Sequence, residues 1–269
     1  MTYNILNDNP KFSSNSPKKW SNRKGNIIKL IKKHRPDLLA IQEAKINQIE
    51  DIKNDLNYLE YYGKSASKNE DFGEQTGIFF NKERFELLDK NTFWLSETPH
   101  IYSKSWGSSH HRICSYVKLR DTKNNKITLH FNTHLDHKSE LARSEGITLI
   151  LQKIRQLKND DDVVILTGDF NSIPNSAVYN IIAKQSDLKD TFENPLNVKN
   201  KINYSFVGIH KKYTFQKMLL RLFYSKYLHH RLDYIFVSNK CKITSLLIDN
   251  TSTNGHYPSD HLPIVTKIE

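Results

Sequence analysis

The sequence predicts an α/β fold in which helices pack on the faces of β-sheets. Short apolar runs such as 163–166 end at glycine or polar residues, which is typical of strands buried on both faces. Two longer segments, 22–34 and 139–157, instead place their apolar residues at helical spacing. The second of these lies between two predicted strands, and a strand-helix-strand unit of this kind packs its helix on a sheet.

The first half of the chain alternates predicted strands and helices. Strands are expected at 2–6, 37–43, 58–62, 73–80 and 85–95, and helices at 22–34 and 47–56. The first helix carries apolar residues among basic ones and stops before Pro36. Only a short polar turn near Asn81 and Lys82 separates the fourth strand from the fifth, so we predict that these two strands pair as a β-hairpin.

The second half adds six strands and the longest helix. The strands are expected at 112–119, 126–134, 163–169, 233–237, 243–248 and 262–268, and the helix at 139–157. The loop 96–111 contains the adjacent residues His110 and His111. Neighbouring side chains on an extended segment point in opposite directions, so we expect at most one of these histidines to be functional.

Composition favours one domain in a reducing compartment. No linker, repeat or low-complexity tract divides the 269 residues, so we predict a single domain over 1–269. Cys114 and Cys241 belong to no metal-binding spacing, and two cysteines argue against a disulfide framework, which indicates a cytoplasmic location. No apolar run reaches the roughly 18 residues of a membrane-spanning helix. The chain starts almost inside its first strand, so a removed leader remains compatible with the sequence.

The chain is strongly basic, and this favours a polyanionic partner. The formal net charge is +11, which suits either nucleic acid or an anionic membrane. The stretch 199–231 has no acidic residue and interleaves basic with aromatic side chains, and 216–228 could form a basic amphipathic helix. Such a segment could bind phosphates and stack on bases, lie on an anionic membrane, or close over the core as a lid. The sequence leaves these three alternatives open.

Polar residues stand at the ends of several predicted strands, where sheet-based folds place their chemistry. Asp169 and Asn171 follow the strand 163–169, and Glu43 ends the strand 37–43. An ionised Glu43 in such a place must be bound to a metal or paired in a salt bridge. Near the end of the chain, Asp260 and His261 are adjacent, and a carboxylate that holds an imidazole fixes its tautomer for proton transfer.

These segments together resemble the endonuclease/exonuclease/phosphatase superfamily, whose fold is that of deoxyribonuclease I. The resemblance rests on Gln42-Glu43, on Gly168-Asp169-Phe170-Asn171 and on Ser259-Asp260-His261, in this order, and it covers essentially the whole chain. It implies a four-layered α/β sandwich, with two mixed β-sheets packed face to face and helices on the outside. It also implies hydrolysis of phosphate esters with a divalent metal, usually Mg²⁺.

The resemblance assigns roles to particular residues. Glu43 would be the principal metal ligand, helped by Asn4 and Asp260. Asp169 would orient or deprotonate the attacking water, and Asn171 would donate a hydrogen bond to the phosphate. The remaining assignments are His261 held by Asp233 as base or phosphate-stabilising group, His134 as a second histidine partnered by Glu74, and Arg112 as a phosphate contact. Two pairs of histidine and carboxylate would supply both an acid and a base.

The residue types agree with this chemistry. Oxygen ligands suit a hard cation, and no cysteine cluster offers a zinc site, so we expect Mg²⁺ or Mn²⁺. We therefore predict a nuclease that hydrolyses phosphodiester bonds in DNA or RNA. The alternative is a membrane-associated phospholipid or inositol-phosphate phosphoesterase, similar to sphingomyelinases or 5-phosphatases. A silent binding module is disfavoured because no motif position is lost. The family's Thr-Phe-His-Gly-Phe loop appears here as Tyr204 to Gly208, and about 209–230 is expected to be a basic insertion.

Overall fold

The computed structural model describes residues 1–69, 72–208 and 229–269. In chain order the elements are β1 (Thr2–Asn4), α1 (Trp20–His34), β2 (Leu38–Ala44), α2 (Ile46–Asp55), β3 (Leu59–Ser65), β4 (Gln75–Asn81), β5 (Phe85–Trp94), β6 (Ile113–Asp121), β7 (Ile127–His134), α3 (Glu140–Leu157), β8 (Val163–Asp169), α4 (Ala177–Gln185), β9 (Leu188–Asp190), β10 (Asp233–Ser238), β11 (Ile243–Ile248) and β12 (Ile264–Ile268). No helix in these ranges is long and apolar enough to cross a bilayer.

The strands form two six-stranded sheets. The first sheet has the order β11-β12-β1-β2-β4-β3 and the second has the order β5-β6-β7-β8-β10-β9. Both sheets are mixed, because β1 pairs with β2 and β7 pairs with β8 in parallel, while the other pairs are antiparallel. Helices α1 and α2 bury their apolar faces in one cluster with β1 and β2, whereas α3 and α4 do so with β7 and β8. The predicted four-layered sandwich is confirmed.

The predicted hairpin of the strands 73–80 and 85–95 is wrong. Strand β4 pairs with β2 and β3 in the first sheet, whereas β5 pairs with β6 in the second. The short turn between them therefore carries the chain from one sheet to the other. Arg84 stabilises this corner, because its guanidinium forms ion pairs with Asp37 at 2.5 Å and with Asp121 at 2.6 Å. These two carboxylates belong to different parts of the chain, and the turn sequence alone does not indicate them.

A buried amide joins the two sheets beneath the site. The Nδ2 group of Asn132 on β7 donates to the carbonyl oxygens of Ile41 at 2.9 Å and Gly77 at 2.8 Å. Its Oδ1 accepts from Nε2 of Gln42 at 2.7 Å. Asn132 has no exposed surface, and Ile41 and Gly77 lie on the facing sheet. These bonds fix β7, which ends at His134, against β2, which carries Glu43.

Replacing Asn132 by Ala is expected to lower the free energy of unfolding by about 3 kcal/mol, because it leaves buried polar groups of the facing sheet without partners. Urea denaturation monitored by circular dichroism measures this change. Asn91→Ala is the matched control, since Asn91 is exposed on β5 and its side chain accepts from the adjacent Thr92 amide. Equal midpoints for the two variants would contradict the role that we assign to Asn132.

Candidate active site

Strand pairing brings the predicted polar residues around Asp169, the last residue of β8. Within the second sheet, His134 on β7 and Asp233 on β10 are both register partners of Asp169. From the first sheet, Nδ2 of Asn4 donates to Oδ2 of Asp169 at 3.1 Å and to Oε1 of Glu43 at 2.9 Å. The ends of strands from both sheets therefore meet at one place, as expected from the sequence.

The backbone before and after Asp169 is adapted to this position. Gly168 has a φ of +151°, and a Cβ on it would lie 2.1 Å from the carbonyl oxygen of Thr133, so no other residue fits. Asn171 has a φ of 47°, and its backbone N–H donates to Oδ1 of Asp169 at 2.9 Å. Its side-chain Nδ2 donates to the carbonyl of Leu135 at 3.0 Å. The backbone N–H of Asn171 thus orients the carboxylate of Asp169, and the carbonyl of Leu135 holds the side chain of Asn171.

Glu43 reaches the site through a distortion of β2. Its φ is 65°, and the pairing of β2 with β4 shifts register between Ile41 and Ala44. A bulge of this kind redirects a side chain at the end of a strand. Burial, followed by the charges of Glu74 and Asp260, raises the pKa of Glu43 to about 7. The negative charges of Glu74 and Asp260 therefore oppose ionisation of Glu43. A bound cation would reduce this repulsion.

Asn7 links two of these carboxylates and was not predicted. Its side-chain Nδ2 donates to Oε1 of Glu74 at 2.8 Å, and it lies 3.4 Å from Oε2 of Glu43. We predicted that Glu74 partners His134, but no such pair forms among the described residues. The carboxylate oxygen near His134 is instead Oδ2 of Asp169, which lies 3.5 Å from Nε2. Glu74 therefore belongs to the Glu43 side of the site.

His261 and His134 flank the same oxygen of Asp169, and their pKa values are shifted in opposite directions. Nδ1 of His261 donates to Oδ2 of Asp233 at 2.7 Å, and its Nε2 lies 3.6 Å from Oδ2 of Asp169. Burial opposes the charged form of His261, but the charges of Asp233 and Asp169 outweigh it and raise its pKa well above the usual range. Burial and then the charge of Arg112 lower the pKa of His134 well below that range. The surroundings thus favour the charged form of His261 and the neutral form of His134, a division suited to an acid and a base.

The carboxyl group of Asp169 responds mainly to burial. Desolvation raises its pKa to about 6, although the charge of His261 and the hydrogen bonds from Asn171 and Asn4 oppose this shift. Its side chain is 2 % exposed, so its charge is costly without a cation or a protonated imidazole beside it.

The loop 204–208, where the sequence departs from the family pattern, supports His261. The hydroxyl of Ser205 accepts from the backbone N–H groups of Leu232 at 3.0 Å and Asp233 at 3.1 Å. The ring of Phe206 packs against His261 at 5.0 Å between centroids. The N–H groups of Val207 and Gly208 donate to the carbonyl of Asp260. The loop therefore holds Asp233 and His261 in place.

Arg23 ties together the chain segments that carry site residues, and sequence analysis missed it. Its guanidinium donates to the carbonyls of Ile5 and Leu6, just after Asn4, and to that of Pro258 at 3.2 Å. The side chain is almost fully buried although it lies on an amphipathic helix. A basic residue in such a helix is usually solvated, so only the neighbouring carbonyls, known from the fold, identify its role.

Two predicted residues act on the site through their charges. Asp260 is half-buried, and Oδ1 accepts from the Ser259 hydroxyl at 3.3 Å. Its charge contributes to the raised pKa of Glu43. Arg112 precedes β6 directly, and its Nε is buried without a hydrogen-bond partner in the described chain. Its charge lowers the pKa of His134.

The residues present fit a divalent cation. Ligand atoms of Glu43, His134 and Asp169 lie within 4.8 Å of one another, and so do those of Asp169, Asp233 and His261. The amide oxygen of Asn4 is less available, because it accepts from the N–H of Leu6 at 3.1 Å. Oxygen donors and raised carboxyl pKa values suit Mg²⁺ or Mn²⁺. Such a cation would neutralise charge that develops on a phosphate during hydrolysis.

The predicted helix at 216–228 and most of the basic insertion at about 209–230 lie outside the described residues. Their proposed contacts with nucleic acid, membrane or core therefore stay predictions.

Comparison with known proteins supports the family resemblance. A family model described as endonuclease/exonuclease/phosphatase family matches residues 1–261. An uncharacterized protein of Acanthamoeba polyphaga mimivirus is 28% identical over 93% of this chain and 92% of its own length. The probable CCR4-Not complex 3'-5'-exoribonuclease subunit Ccr4 of Vairimorpha ceranae is 23% identical over 100% of this chain. The chain spans 63% of that protein and 38% of the Candida albicans Ccr4.

Solved structures show the same architecture. The mannosyl-6-phosphatase of Bacteroides thetaiotaomicron is 28% identical, with a TM-score of 0.88, and the match covers 100% of this chain and 98% of that one. The catalytic domain of human Nocturnin, solved with a sulfate anion, is 20% identical with a TM-score of 0.73, over 99% and 91% of the two chains. The second likeness shows a shared fold.

Proposed function

The chain belongs to the endonuclease/exonuclease/phosphatase family, and from this premise we propose that it is a divalent-metal-dependent nuclease. Family and relatives together indicate a phosphoester hydrolase. The finer proposal is that Mg²⁺ or Mn²⁺ is the cofactor and that the substrate is a phosphodiester of DNA or RNA.

One observation carries the proposal. A buried carboxylate, Asp169, lies between the imidazoles of His134 and His261, whose pKa values are shifted in opposite directions. Asp169 orients the attacking water, and His134, whose neutral form is favoured, is suited to take its proton. His261, whose charged form is favoured, is suited to give a proton to the leaving oxygen or to stabilise the phosphate. In this proposal Glu43 from the first sheet and Asp169 from the second hold the cation. Asn4 orients both carboxylates through its amide N–H groups, Asp260 adds negative charge beside Glu43, and Asn171 and Arg112 contact the phosphate. Asp233 positions His261 through a hydrogen bond. Glu74 lies beside Glu43 and adds negative charge where the cation binds.

The choice of nucleic acid has separate support. The net charge of +11 favours a polyanion, and curated relatives over the whole chain are exoribonucleases by name. The test is incubation with single-stranded DNA, double-stranded DNA and RNA in Mg²⁺, Mn²⁺ or EDTA. We expect cleavage of at least one substrate with metal, and none in EDTA or by Asp169→Ala. If every polynucleotide stays intact with both metals, the nuclease proposal fails.

A second candidate is a phosphatase that acts on sugar monophosphates. It is favoured by the likeness to the mannosyl-6-phosphatase, which is 28% identical and matches the whole chain. Release of inorganic phosphate from mannose 6-phosphate, with polynucleotides left intact in the same buffer, would favour the phosphatase over the nuclease.

The membrane-associated alternative depends on the segment 216–228, and flotation with vesicles of anionic phospholipid tests it. Protein that stays at the bottom of the gradient argues against that alternative.

The raised pKa of Glu43 predicts how Mg²⁺ stabilises the protein at different pH values. The metal-free fold keeps a proton on Glu43 up to pH of about 7, whereas the unfolded chain loses it near 4.5. The contribution of Glu43 to stability therefore falls as pH rises through this window, and a cation replaces the lost proton. We expect Mg²⁺ to raise Tm more at pH 8 than at pH 6. In Glu43→Gln the increase should be small at both pH values, and an increase as large as that of the wild type at pH 8 would contradict the assignment.

A further inference from the structure

A second group of polar side chains lies beside the site, around Asp136. Oδ2 of this buried carboxylate accepts from the hydroxyls of Ser108 and Ser109 at 3.0 and 2.7 Å, and from the N–H groups of Ser109 and His110 at 2.9 and 3.2 Å. Its Oδ1 accepts from the N–H groups of Lys138 and Ser139 at 2.9 and 2.8 Å. Asp136 thereby fastens the end of the loop 96–111 to the segment that follows β7. Both of its oxygens are fully used.

This fastening places two exposed histidines against each other. The rings of His110 and His137 lie 5.2 Å apart at an angle of 71°. The hydroxyl of Ser109 lies between them, 3.2 Å from Nδ1 of His110 and 3.4 Å from Nδ1 of His137. The hydroxyl contacts the Nδ1 side of each ring. Nε2 of neither ring has a hydrogen-bond partner within residues 1–69, 72–208 and 229–269, so both can contact a bound molecule. His111, in contrast, stacks on Tyr102 at 4.0 Å and points elsewhere.

The surroundings of the two rings are mostly positive. Burial and then the charge of Arg112 lower the pKa of both, and Lys104, Lys138 and Arg143 add to this effect. The opposing carboxylate is Asp136, whose oxygens are already occupied. The three residues His110, Asp136 and His137 have ligand atoms within 4.8 Å of one another. Even so, a saturated carboxylate and a neighbouring guanidinium disfavour a cation there and favour an anion.

The rings of His110 and His137 lie near two residues of the candidate active site, His134 and Arg112. His137 follows His134 by three residues, and Arg112 follows His110 by two. The charges of His137 and His110 both contribute to the lowered pKa of His134. The pair therefore borders the site next to His134.

We propose that His110 and His137 bind a second phosphate of a nucleic-acid substrate, next to the phosphate that is hydrolysed. This inference rests on the proposed nuclease function. Nε2 of each ring, protonated when the phosphate approaches, donates to its oxygens, while Ser109 and Asp136 keep the rings in place. The two histidines are specificity-determining residues in this account, and they distinguish a polynucleotide from an isolated phosphate monoester.

The test uses short single-stranded oligonucleotides of the sugar type that the wild type cleaves. A single neutral methylphosphonate replaces each phosphate in turn, and the product lengths identify the cleaved bond. For the wild type, we expect KM to rise about tenfold when the neutral linkage is adjacent to that bond, as for the loss of a hydrogen bond to a charged group. For the double variant His110→Ala/His137→Ala, we expect KM to be about tenfold higher on the unmodified oligonucleotide and insensitive to this replacement. His111→Ala is the matched control and should behave as the wild type.

Equal sensitivity of the wild type and the double variant to the neutral linkage would overturn the inference. If the wild type cleaves no oligonucleotide, the nuclease proposal itself fails. This outcome differs from equal sensitivity of the two proteins, which refutes only the role of His110 and His137. Fluorescence anisotropy of labelled DNA and RNA oligonucleotides in EDTA still tests the pair in that case, since weaker binding of the double variant than of His111→Ala supports it and equal binding refutes it. Calorimetric binding of Zn²⁺ that the double variant loses, with unchanged oligonucleotide affinity, would identify a cation site and also refute it.

Discussion

Asp169→Asn is expected to lower kcat by about 10³-fold, the scale of a lost general base or its equivalent. The oxygen Oδ2 of Asp169 accepts from Asn4 and lies within 3.6 Å of both imidazoles. An amide keeps the shape of the side chain but removes the charge that raises the pKa of His261 and attracts a cation. Steady-state cleavage of a substrate that the wild type hydrolyses in Mg²⁺ measures the loss.

The same substitution should leave the fold intact or make it more stable. Burial raises the pKa of Asp169 to about 6, so its charged form costs stability at neutral pH, and a neutral amide avoids that cost. Asp187→Asn is the control, because the side chain of Asp187 is exposed and pairs with Lys158 on the surface. If the Asp169→Asn variant retains kcat within tenfold of this control, Asp169 takes no part in the reaction.

His261→Ala is expected to lower kcat by about 10³-fold, and Asp233→Asn by about 10²-fold. Asp233 contacts His261 through the 2.7 Å hydrogen bond and is 1 % exposed, so it acts through this ring. The double variant should therefore lose no more than His261→Ala alone, because two residues that act as a unit are not additive.

The pH profile separates this positioning role from a general loss of stability. Asp233 raises the pKa of His261, so Asp233→Asn should move the basic limb of the kcat profile to lower pH, while a purely structural defect would lower kcat at every pH alike. Losses in the double variant that multiply would contradict the coupling of the two residues.

Much of the site follows from the sequence because it lies at strand ends. Parallel pairing of β7 with β8 places His134 beside Asp169, and antiparallel pairing with β10 places Asp233 on the other side. Apolar runs predict these strands, and the polar residues that end them identify the edge where they meet. The family resemblance supplied the facing sheet, to which Asn4 and Glu43 belong.

Other features depend on contacts between distant segments. Asn7 and Arg23 act on Glu43, Glu74 and backbone carbonyls that only the folded chain brings near them. The hairpin prediction was wrong for the same reason. Strands β4 and β5 pair with distant strands in different sheets, and the short turn between them does not indicate those partners. Helix α4 was not predicted, although Ser176 caps its first turn by accepting from the N–H of Tyr179 at 3.4 Å. A serine before an apolar segment is a common helix N-cap, so the start of α4 could have been predicted from the sequence.

Calorimetric titration of the metal-free protein with Mn²⁺ and Mg²⁺ most directly tests whether side chains from both sheets share one cation. We expect one site per chain in the wild type, with affinity reduced at least about tenfold in Glu43→Gln, from the first sheet, and in Asp169→Asn, from the second. A wild type that binds neither metal, or full affinity in both variants, would contradict the metal centre on which the proposed hydrolysis depends.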